Sequence, residues 1–315
     1  MNFSHTQKVL VQGITQALGG VHARLMKEYG TNVVAGVSAG DGGQEIEGIP
    51  TFDLVEEAVT QVEGIDTSLI FVSPYEMLDA ALEAIAAGIR NLILIPSGMP
   101  PLDMVKLLRK AEVTETLVLG PNCPGIIVPG QVLLGTHPTQ CYTPGRIGVI
   151  SCADTLTYQV ALELSKAGLG QSVGVGLGRE TILGSSFAQW LQILEEDDQT
   201  DAIVLVGEMG GLGGEEQAAQ YISEAIDKPV VAYLAGQQSP KLRRKRHAAL
   251  IASRLLVGEA KAGRGSMVNT EIGDRKLEAF KAGKISVAQK LADIPRLLKT
   301  KLKPASSARG RRSQK

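Results

Sequence analysis

The feature that most constrains the fold is a series of short apolar runs separated by amphipathic stretches. Segments rich in Val, Ile and Leu recur along the chain, as KVLVQG, NVVAGV, SLIFV, NLILIP and TLVLG, and later as RIGVIS, SVGVGLG, AIVLVGE and PVVAYLAG. Runs of this kind, without polar alternation, are typical of parallel strands that helices cover on both faces. The sequence therefore predicts an α/β fold.

The intervening stretches supply the helices, and the clearest covers residues 73–88, SPYEMLDAALEAIAAG. Ser73 is suited to the N-cap, Pro74 to the first turn, and Glu76 to the reciprocal position of a capping box. Gly88 is a typical C-terminal stop. We expect a helix between these residues.

Between residues 120 and 145 the pattern changes to GPNCPGIIVPGQVLLGTHPTQCYTPG, which has five prolines and five glycines and no helical period. We interpret this segment as a connector and divide the 315-residue chain near it. The predicted units are residues 1–129, residues 130–298 and a basic, disordered tail at 299–315. Each of the first two units is expected to form a doubly wound parallel sheet.

Composition excludes several classes of protein. No apolar run approaches the roughly 18 residues of a membrane helix, and the N-terminus does not resemble a secretory signal, so we expect no membrane partner. Cys123, Cys141 and Cys152 show no CxxC spacing, which favours a reducing, cytoplasmic location. The tail has seven basic and no acidic residues, and the remainder is acidic, which argues against nucleic-acid binding.

Two stretches could carry chemistry. The first strand runs into GITQALGGVH, residues 13–22, a glycine-containing turn before a helix, where backbone amides favour phosphate. Its spacing is not GxGxxG, so a structural turn and a ligand loop remain equally open. In RRKRHAAL, residues 243–250, His247 follows four basic residues. It is either an ordinary residue beside a solvated basic segment or a group that handles phosphate.

Taken in order, several segments resemble the alpha subunit of succinyl-CoA synthetase, also called succinate–CoA ligase. The resemblance spans roughly residues 6–298 and includes GITQALGGVH, YGTNVVAGVSAGDGG, GPNCPGIIVPG, PGRIGVIS, TLTYQV, GLGQSVGVGLG, DAIVLVGEMGG, KPVVAYLAG and His247-Ala248. It implies an N-terminal Rossmann-like CoA-binding domain followed by a flavodoxin-like parallel α/β domain.

The resemblance also implies a reaction. Succinyl-CoA and phosphate give succinyl phosphate, His247 takes the phosphoryl group, and ADP or GDP receives it. A neutral imidazole is nucleophilic at pH 7, and a carboxylate on its other nitrogen would fix the tautomer. By the same comparison Glu208 has that second role, and Tyr158 contacts the substrate. The expected CoA ligands are Gly13, Thr15, Gln16, Ala17, Leu18, Asp41, Pro96, Ser97, Asn122 and Cys123, with Cys123 acting as a buried structural thiol.

The resemblance implies a partner as well. No P-loop motif and no recognisable ATP-grasp half occur in the sequence. The family's nucleotide site lies on a separate beta subunit, which would bind ATP or GTP with Mg²⁺. Succinate, CoA and phosphate are the expected small-molecule substrates.

Several positions differ from the family, and they cluster where chemistry is expected. Asp41 stands in place of a CoA-contacting lysine, Ser97 in place of a glutamate and Gln16 in place of a glycine. Asp154 is expected to cap the helix start that would hold phosphate, where its charge would oppose an anion unless Arg179 compensates it. These differences leave an alternative open, a catalytically weakened paralogue that acts as a CoA- or partner-binding regulatory subunit.

Overall fold

The computed structural model describes residues 3–209, 214–237 and 265–302, with side chains in the last range from Gly273 onward. His247 and residues 303–315 of the tail lie outside the described residues. Within these ranges the chain forms two seven-stranded sheets with helices packed on them. Of the helices that the structure describes, none is both long enough and apolar enough to cross a lipid bilayer.

The first sheet has the strand order β3-β4-β2-β1-β5-β6-β7, and only β3 is antiparallel to its neighbour. Counted without β3, the order is that of a Rossmann sheet, which confirms the predicted fold of this half. Its strands are β1 (Lys8–Gln12), β2 (Val33–Val37), β3 (Glu45–Ile46), β4 (Ile49–Phe52), β5 (Ile65–Ile70), β6 (Asn91–Leu94) and β7 (Leu117–Leu119).

Four helices connect these strands: α1 (Ala17–Tyr29), α2 (Val55–Gln61), α3 (Met77–Ala86) and α4 (Pro101–Val113). The predicted helix at residues 73–88 corresponds to α3, but it begins later than expected. The Glu76 carboxylate accepts hydrogen bonds from the Ser73 amide (3.2 Å) and hydroxyl (2.8 Å), so Ser73 to Glu76 form a turn that precedes the helix. Gly88, at φ 94°, ends it as predicted.

The second sheet has the order β14-β13-β12-β10-β11-β8-β9. Its five parallel strands, from β10 to β14, follow the flavodoxin-like order, which confirms the fold class of this half. The strands are β8 (Gly125–Val128), β9 (Val132–Gly135), β10 (Pro144–Ser151), β11 (Gln171–Gly176), β12 (Ala202–Glu208), β13 (Val230–Ala235) and β14 (Ser286–Ala288).

The helices that the structure describes in this half are α5 (Thr155–Lys166), α6 (Phe187–Glu196), α7 (Glu215–Ala225), α8 (Gly265–Ala282) and α9 (Asp293–Leu302), with a short 3-10 turn at Thr139–Cys141. The α6 helix begins with a complete capping box between Ser186 and Gln189. Its Trp190 is fully buried in the core.

The segment interpreted as a connector contains a β-hairpin. Strands β8 and β9 pair with each other, and β8 pairs antiparallel with β11. A boundary between residues 129 and 130 would cut this hairpin at its turn. We therefore propose that the second unit begins before Gly125.

The hairpin also packs against the first half. The Thr31 hydroxyl donates to the Leu133 carbonyl oxygen (2.7 Å) and accepts from the Leu133 amide (3.0 Å). The amide of Gly130 donates to the Tyr29 hydroxyl at 2.9 Å. Met26 of α1, Leu133 and Val175 of β11 belong to one buried apolar cluster, so the two sheets share a core.

Candidate active site

The glycine-containing turn lies between β1 and α1, at the carboxyl edge of the first sheet. Gly13 has φ 76°, a conformation that favours glycine, and its amide donates to the Val37 carbonyl oxygen. A Cβ on Gly19 would stand 2.0 Å from the Gly13 carbonyl oxygen, so the turn packs directly on the helix. Thr15, Gln16, Ala17 and Leu18 follow Gly13 and are exposed.

The start of α1 has the properties of an anion site. Gln16, at the N-cap, makes no side-chain hydrogen bond to the helix, and the first turn has no acidic residue. The first amides of a helix have no intrahelical acceptor and carry a partial positive charge, which favours phosphate. Of the two interpretations that the sequence left open, the geometry favours the ligand loop.

Asp41 lies beside this turn, after β2. The Ser38 hydroxyl donates to the Asp41 carboxylate at 2.9 Å and is 2.6 Å from the Thr15 hydroxyl. A chain of hydrogen bonds therefore links Asp41 to the turn. The side chains that donate to the Asp41 carboxylate are the Ser38 hydroxyl and the Gln44 amide, which are both neutral. These two contacts therefore bring no positive charge to offset the carboxylate beside the predicted CoA positions.

The other predicted CoA residues follow β6 and β7. Pro96 and Ser97 come after β6, and the Pro96 carbonyl oxygen accepts from the Asn122 amide at 2.9 Å. Asn122 itself adopts φ 58° after a cis Gly120–Pro121 peptide bond. The structure thus brings all of the predicted CoA positions to the carboxyl edge of one sheet, where α/β folds of this type bind ligands.

Cys123 is buried, and only 4% of it is exposed. Its thiol donates to the Leu94 carbonyl oxygen at 3.3 Å, and burial raises its pKa to about 12. A thiol with such a pKa is protonated at neutral pH and is a poor nucleophile. The predicted structural role of Cys123 agrees with this environment.

Glu180 joins the two halves at their carboxyl edges. Its carboxylate accepts from the Gly98 amide at 3.0 Å and from the Asn122 side-chain amide at 3.4 Å. The Gly184 amide donates to the Gly120 carbonyl oxygen at 2.7 Å. A cleft of about 380 Å³ opens beside Glu180, lined mainly by methionine, proline and glycine residues. The loops that follow β7 and β11 therefore meet at Asn122.

On the second sheet, Arg179 connects two carboxylates from separate elements. Its guanidinium nitrogens are 3.4 Å from the Asp154 carboxylate, before α5, and 3.1 Å from the Glu208 carboxylate, at the end of β12. The prediction that the Asp154 side chain caps α5 is wrong, because it makes no hydrogen bond to the first turn. The Asp154 backbone has φ 41°, and its carboxylate is bound by Arg179 instead.

Glu208 lies next to the point where the segment containing His247 begins. Glu208 is opposite Ala235 in the β12–β13 register, and the Met209 amide donates to the Ala235 carbonyl oxygen at 2.9 Å. The described chain stops at Gln237, ten residues before His247. The contact between His247 and Glu208 remains a prediction, since His247 lies outside the described residues.

Tyr158 is the fourth residue of α5, with its ring edge-on to His137 at 5.8 Å between centroids. His137 is buried between the Tyr142 hydroxyl (2.8 Å) and the Gly125 carbonyl oxygen (3.0 Å). Burial lowers its pKa to about 4, so the ring is neutral at pH 7. A neutral ring donates to Gly125 through Nε2 and accepts from Tyr142 through Nδ1. His137 is thus a neutral, hydrogen-bonded ring that packs edge-on against Tyr158.

Sequence reasoning missed a buried ion pair next to Glu208. The Lys276 ammonium is 2.8 Å from the Glu215 carboxylate, and their side chains are 4% and 0% exposed. Glu215 is in the first turn of α7 and Lys276 is on α8. No local pattern connects two residues so far apart in the chain, so only the fold reveals the pair.

Comparison with known proteins agrees with this arrangement. A family model described as CoA binding domain matches residues 4–98, and one described as CoA-ligase matches residues 150–263. The succinate–CoA ligase [ADP-forming] subunit alpha 2 of Archaeoglobus fulgidus is 46% identical over 244 residues, which are 78% of this chain and 84% of that protein. The chain belongs to the succinate–CoA ligase alpha-subunit family.

Two further relatives show the breadth of the family. The succinate–CoA ligase [ADP-forming] subunit alpha of Aquifex aeolicus is 45% identical over 78% of this chain and 80% of its own length. The malate–CoA ligase subunit alpha of Methylorubrum extorquens is 43% identical over 78% of this chain and 83% of its own length. Membership therefore establishes a CoA ligase fold and a CoA-binding domain without fixing the acid.

Solved structures share the fold over nearly the whole chain. ATP citrate lyase from Methanothrix soehngenii, in complex with citrate and coenzyme A, has a TM-score of 0.79 at 20% identity and covers 95% of this chain. An acetyl-coenzyme A synthetase from Ca. Korarchaeum cryptofilum has a TM-score of 0.69 at 19% identity and covers 92%. This chain spans about half the length of those two chains, 50% and 59%.

Proposed function

We propose that the chain is the alpha subunit of a succinate–CoA ligase, which interconverts succinate and succinyl-CoA with ATP or GTP through a phosphohistidine at His247. The observation that carries this proposal is the meeting of the two carboxyl edges. The expected CoA residues lie on one edge, Glu208 lies on the other, and Glu180 connects them through Asn122.

In the proposed reaction, a phosphate oxygen attacks the thioester carbonyl of succinyl-CoA, the C–S bond breaks, and CoA leaves as its thiol. An imidazole nitrogen of His247 then attacks the phosphorus of succinyl phosphate, and succinate leaves as a carboxylate. Finally a nucleoside diphosphate oxygen attacks the phosphohistidine, which restores the imidazole. Glu208 would hold the proton on the other ring nitrogen and stabilise the positive charge on the ring.

The first sheet supplies the proposed CoA site. The open amides at the start of α1 would bind CoA phosphate, with Gly13, Thr15, Gln16, Ala17 and Leu18 forming the cradle. Ser97 and Asn122 would direct the thiol arm toward the junction with the second sheet. Asp41 would stand near the CoA phosphates and weaken their binding relative to a neutral residue.

The second sheet would bind phosphate and the acid. Tyr158 is the proposed substrate contact, and Arg179 supplies a cation between two carboxylates. The contact between Arg179 and Asp154 supports this proposal, because the guanidinium offsets part of the negative charge at the start of α5. A partner beta subunit would contribute the nucleotide site with Mg²⁺. The free cysteines of the described chain support a cytoplasmic location.

The test is phosphorylation of the co-expressed alpha and beta subunits with γ-³²P-labelled ATP or GTP. We expect acid-labile, base-stable label on the alpha chain and none on a His247→Ala variant. Equal labelling of that variant would contradict the proposal. Hydroxamate capture with succinate and malate in parallel then identifies the acid, and comparison of ATP with GTP identifies the nucleotide.

A further inference from the structure

Glu208 is opposite Ala235 of β13, and its own N–H and C=O bond to the two members of a buried ion pair. Strand β10 ends at Ser151, which is opposite Val206 in the β10–β12 register, two residues before Glu208. Glu215 Oε1 accepts from the Glu208 amide at 3.0 Å, and Lys276 Nζ donates to the Glu208 carbonyl oxygen at 2.7 Å. The two side chains therefore bond the Glu208 backbone beyond the last β10–β12 pair.

The ion pair is itself tightly fixed. Lys276 Nζ lies 2.8 Å from Glu215 Oε2, and both side chains are almost completely buried. Gly207 makes room for it, because a Cβ there would stand 2.7 Å from Glu215 Cγ. Cys152, at the end of β10, lies 3.8 Å from Glu215 Oε1. Helices α7 and α8 thus meet at the Glu208 backbone, and Cys152 contacts the Glu215 carboxylate.

A buried ion pair is a poor source of stability, because desolvation of the two charges offsets their attraction. Here the pair has a geometric consequence instead. It fixes the N–H and C=O of Glu208, while Arg179 contacts the carboxylate at 3.1 Å. Both ends of the residue are therefore held, which sets the direction in which its side chain leaves the sheet.

We propose that Lys276 and Glu215 are positioning residues for phosphoryl transfer, which act by fixing Glu208 at the carboxyl edge of the second sheet. The inference rests on the proposed function, since it assumes that Glu208 orients the phosphorylated imidazole. Displacement of a positioned group by about 1 Å costs on the order of 100-fold in rate. Loss of the Lys276 donor is expected to have an effect of that size on phosphohistidine formation.

The experiment measures single-turnover phosphorylation of His247 in the alpha–beta complex for wild type, Lys276→Met, Glu208→Gln and the double variant. We expect Lys276→Met to slow label transfer by about 100-fold while CoA affinity stays unchanged. If Lys276 acts through Glu208, the double variant is no slower than the slower single variant. Additive losses, or a wild-type rate in Lys276→Met, would overturn the inference.

Lys228→Met is the matched control. Lys228 also donates to two backbone carbonyl oxygens in the same half, those of Leu194 (2.6 Å) and Asp197 (2.7 Å), but it precedes β13 at the opposite edge of the sheet. Its loss should lower the thermal midpoint without slowing phosphorylation. A loss of rate equal to that of Lys276→Met would show that the effect is one of general stability and would contradict positioning.

A second variant keeps the inference testable if Lys276→Met does not fold. Glu215→Gln with Lys276→Met removes both charges, so no uncompensated charge remains buried, and the amide of Gln can still accept from the Glu208 amide. If Lys276→Met fails to fold, we expect the variant with both Glu215→Gln and Lys276→Met to show the same slow phosphorylation of His247. Absence of label on wild-type His247 would instead refute the proposed function, so the two failures are distinguishable.

Discussion

Replacement of Cys123 by alanine tests whether the thiol at the junction has a chemical role. Its pKa is raised from 9.0 to about 12 by burial, so the thiolate fraction at pH 7 is about 1000-fold lower than for an ordinary thiol. The Cys123→Ala variant loses one sulfur atom and one hydrogen bond to Leu94, a cost of about 1–2 kcal/mol in the free energy of unfolding. We expect it to retain full turnover.

The assay combines hydroxamate-coupled turnover, urea unfolding and iodoacetamide labelling mapped by mass spectrometry. Cys141 is partly exposed and serves as the internal control for alkylation. We expect Cys141 to react in the native protein and Cys123 to react only after unfolding. Alkylation of native Cys123 at the rate of Cys141, or a folded Cys123→Ala variant without turnover, would refute the reasoning.

Three further perturbations test other parts of the site. The pKa of His137 is near 6.5 in the unfolded chain and about 4 in the folded chain, so the unfolded chain takes up the proton first as pH falls. The free energy of unfolding should therefore fall by up to about 3 kcal/mol between pH 7 and pH 4. Urea titration at each pH should show that a His137→Phe variant lacks this pH-dependent loss. Arg179→Gln removes the cation that contacts the Asp154 and Glu208 carboxylates and should weaken phosphate binding about 10-fold by calorimetry. Arg146→Gln, which breaks a pair with Asp201 at the opposite edge, should not change it. Thr15→Val should raise KM for CoA several-fold with kcat unchanged, because a contact that only binds the CoA phosphate stabilises the ground state and the transition state equally. A fall in kcat without a change in KM would contradict a role of Thr15 in CoA binding.

The sequence predicted the strands of the two parallel sheets and the fold class because the apolar runs lack polar alternation and are separated by amphipathic stretches. It did not predict the β8–β9 hairpin, although Pro129-Gly130 is a turn signal between two apolar runs. These strands have four residues each, and they are stabilised by pairing with β11, which lies far along the chain. Local pattern alone therefore favoured a connector.

The sequence also predicted one part of the candidate site and missed another. Gly13 and the turn after it follow from local rules, because a glycine at a strand end and a helix start are adjacent in sequence. The contacts of Asp154, Arg179 and Glu208 depend on three elements that meet only in the folded sheet. Resemblance located Glu208, but nothing in the sequence indicated that Lys276 holds its backbone.

The hairpin has a further consequence for how the protein can be divided. Strands β8 and β9 cover the edge of β11 while packing on α1, with Thr31 bonded to Leu133. A cut before the hairpin would expose the apolar surface of α1 that the hairpin covers. A cut after it would leave β11 as an open edge prone to intermolecular pairing. Neither half is therefore a separable cassette for recombinant expression, and exchange of domains between relatives must carry the hairpin together with both of its neighbours.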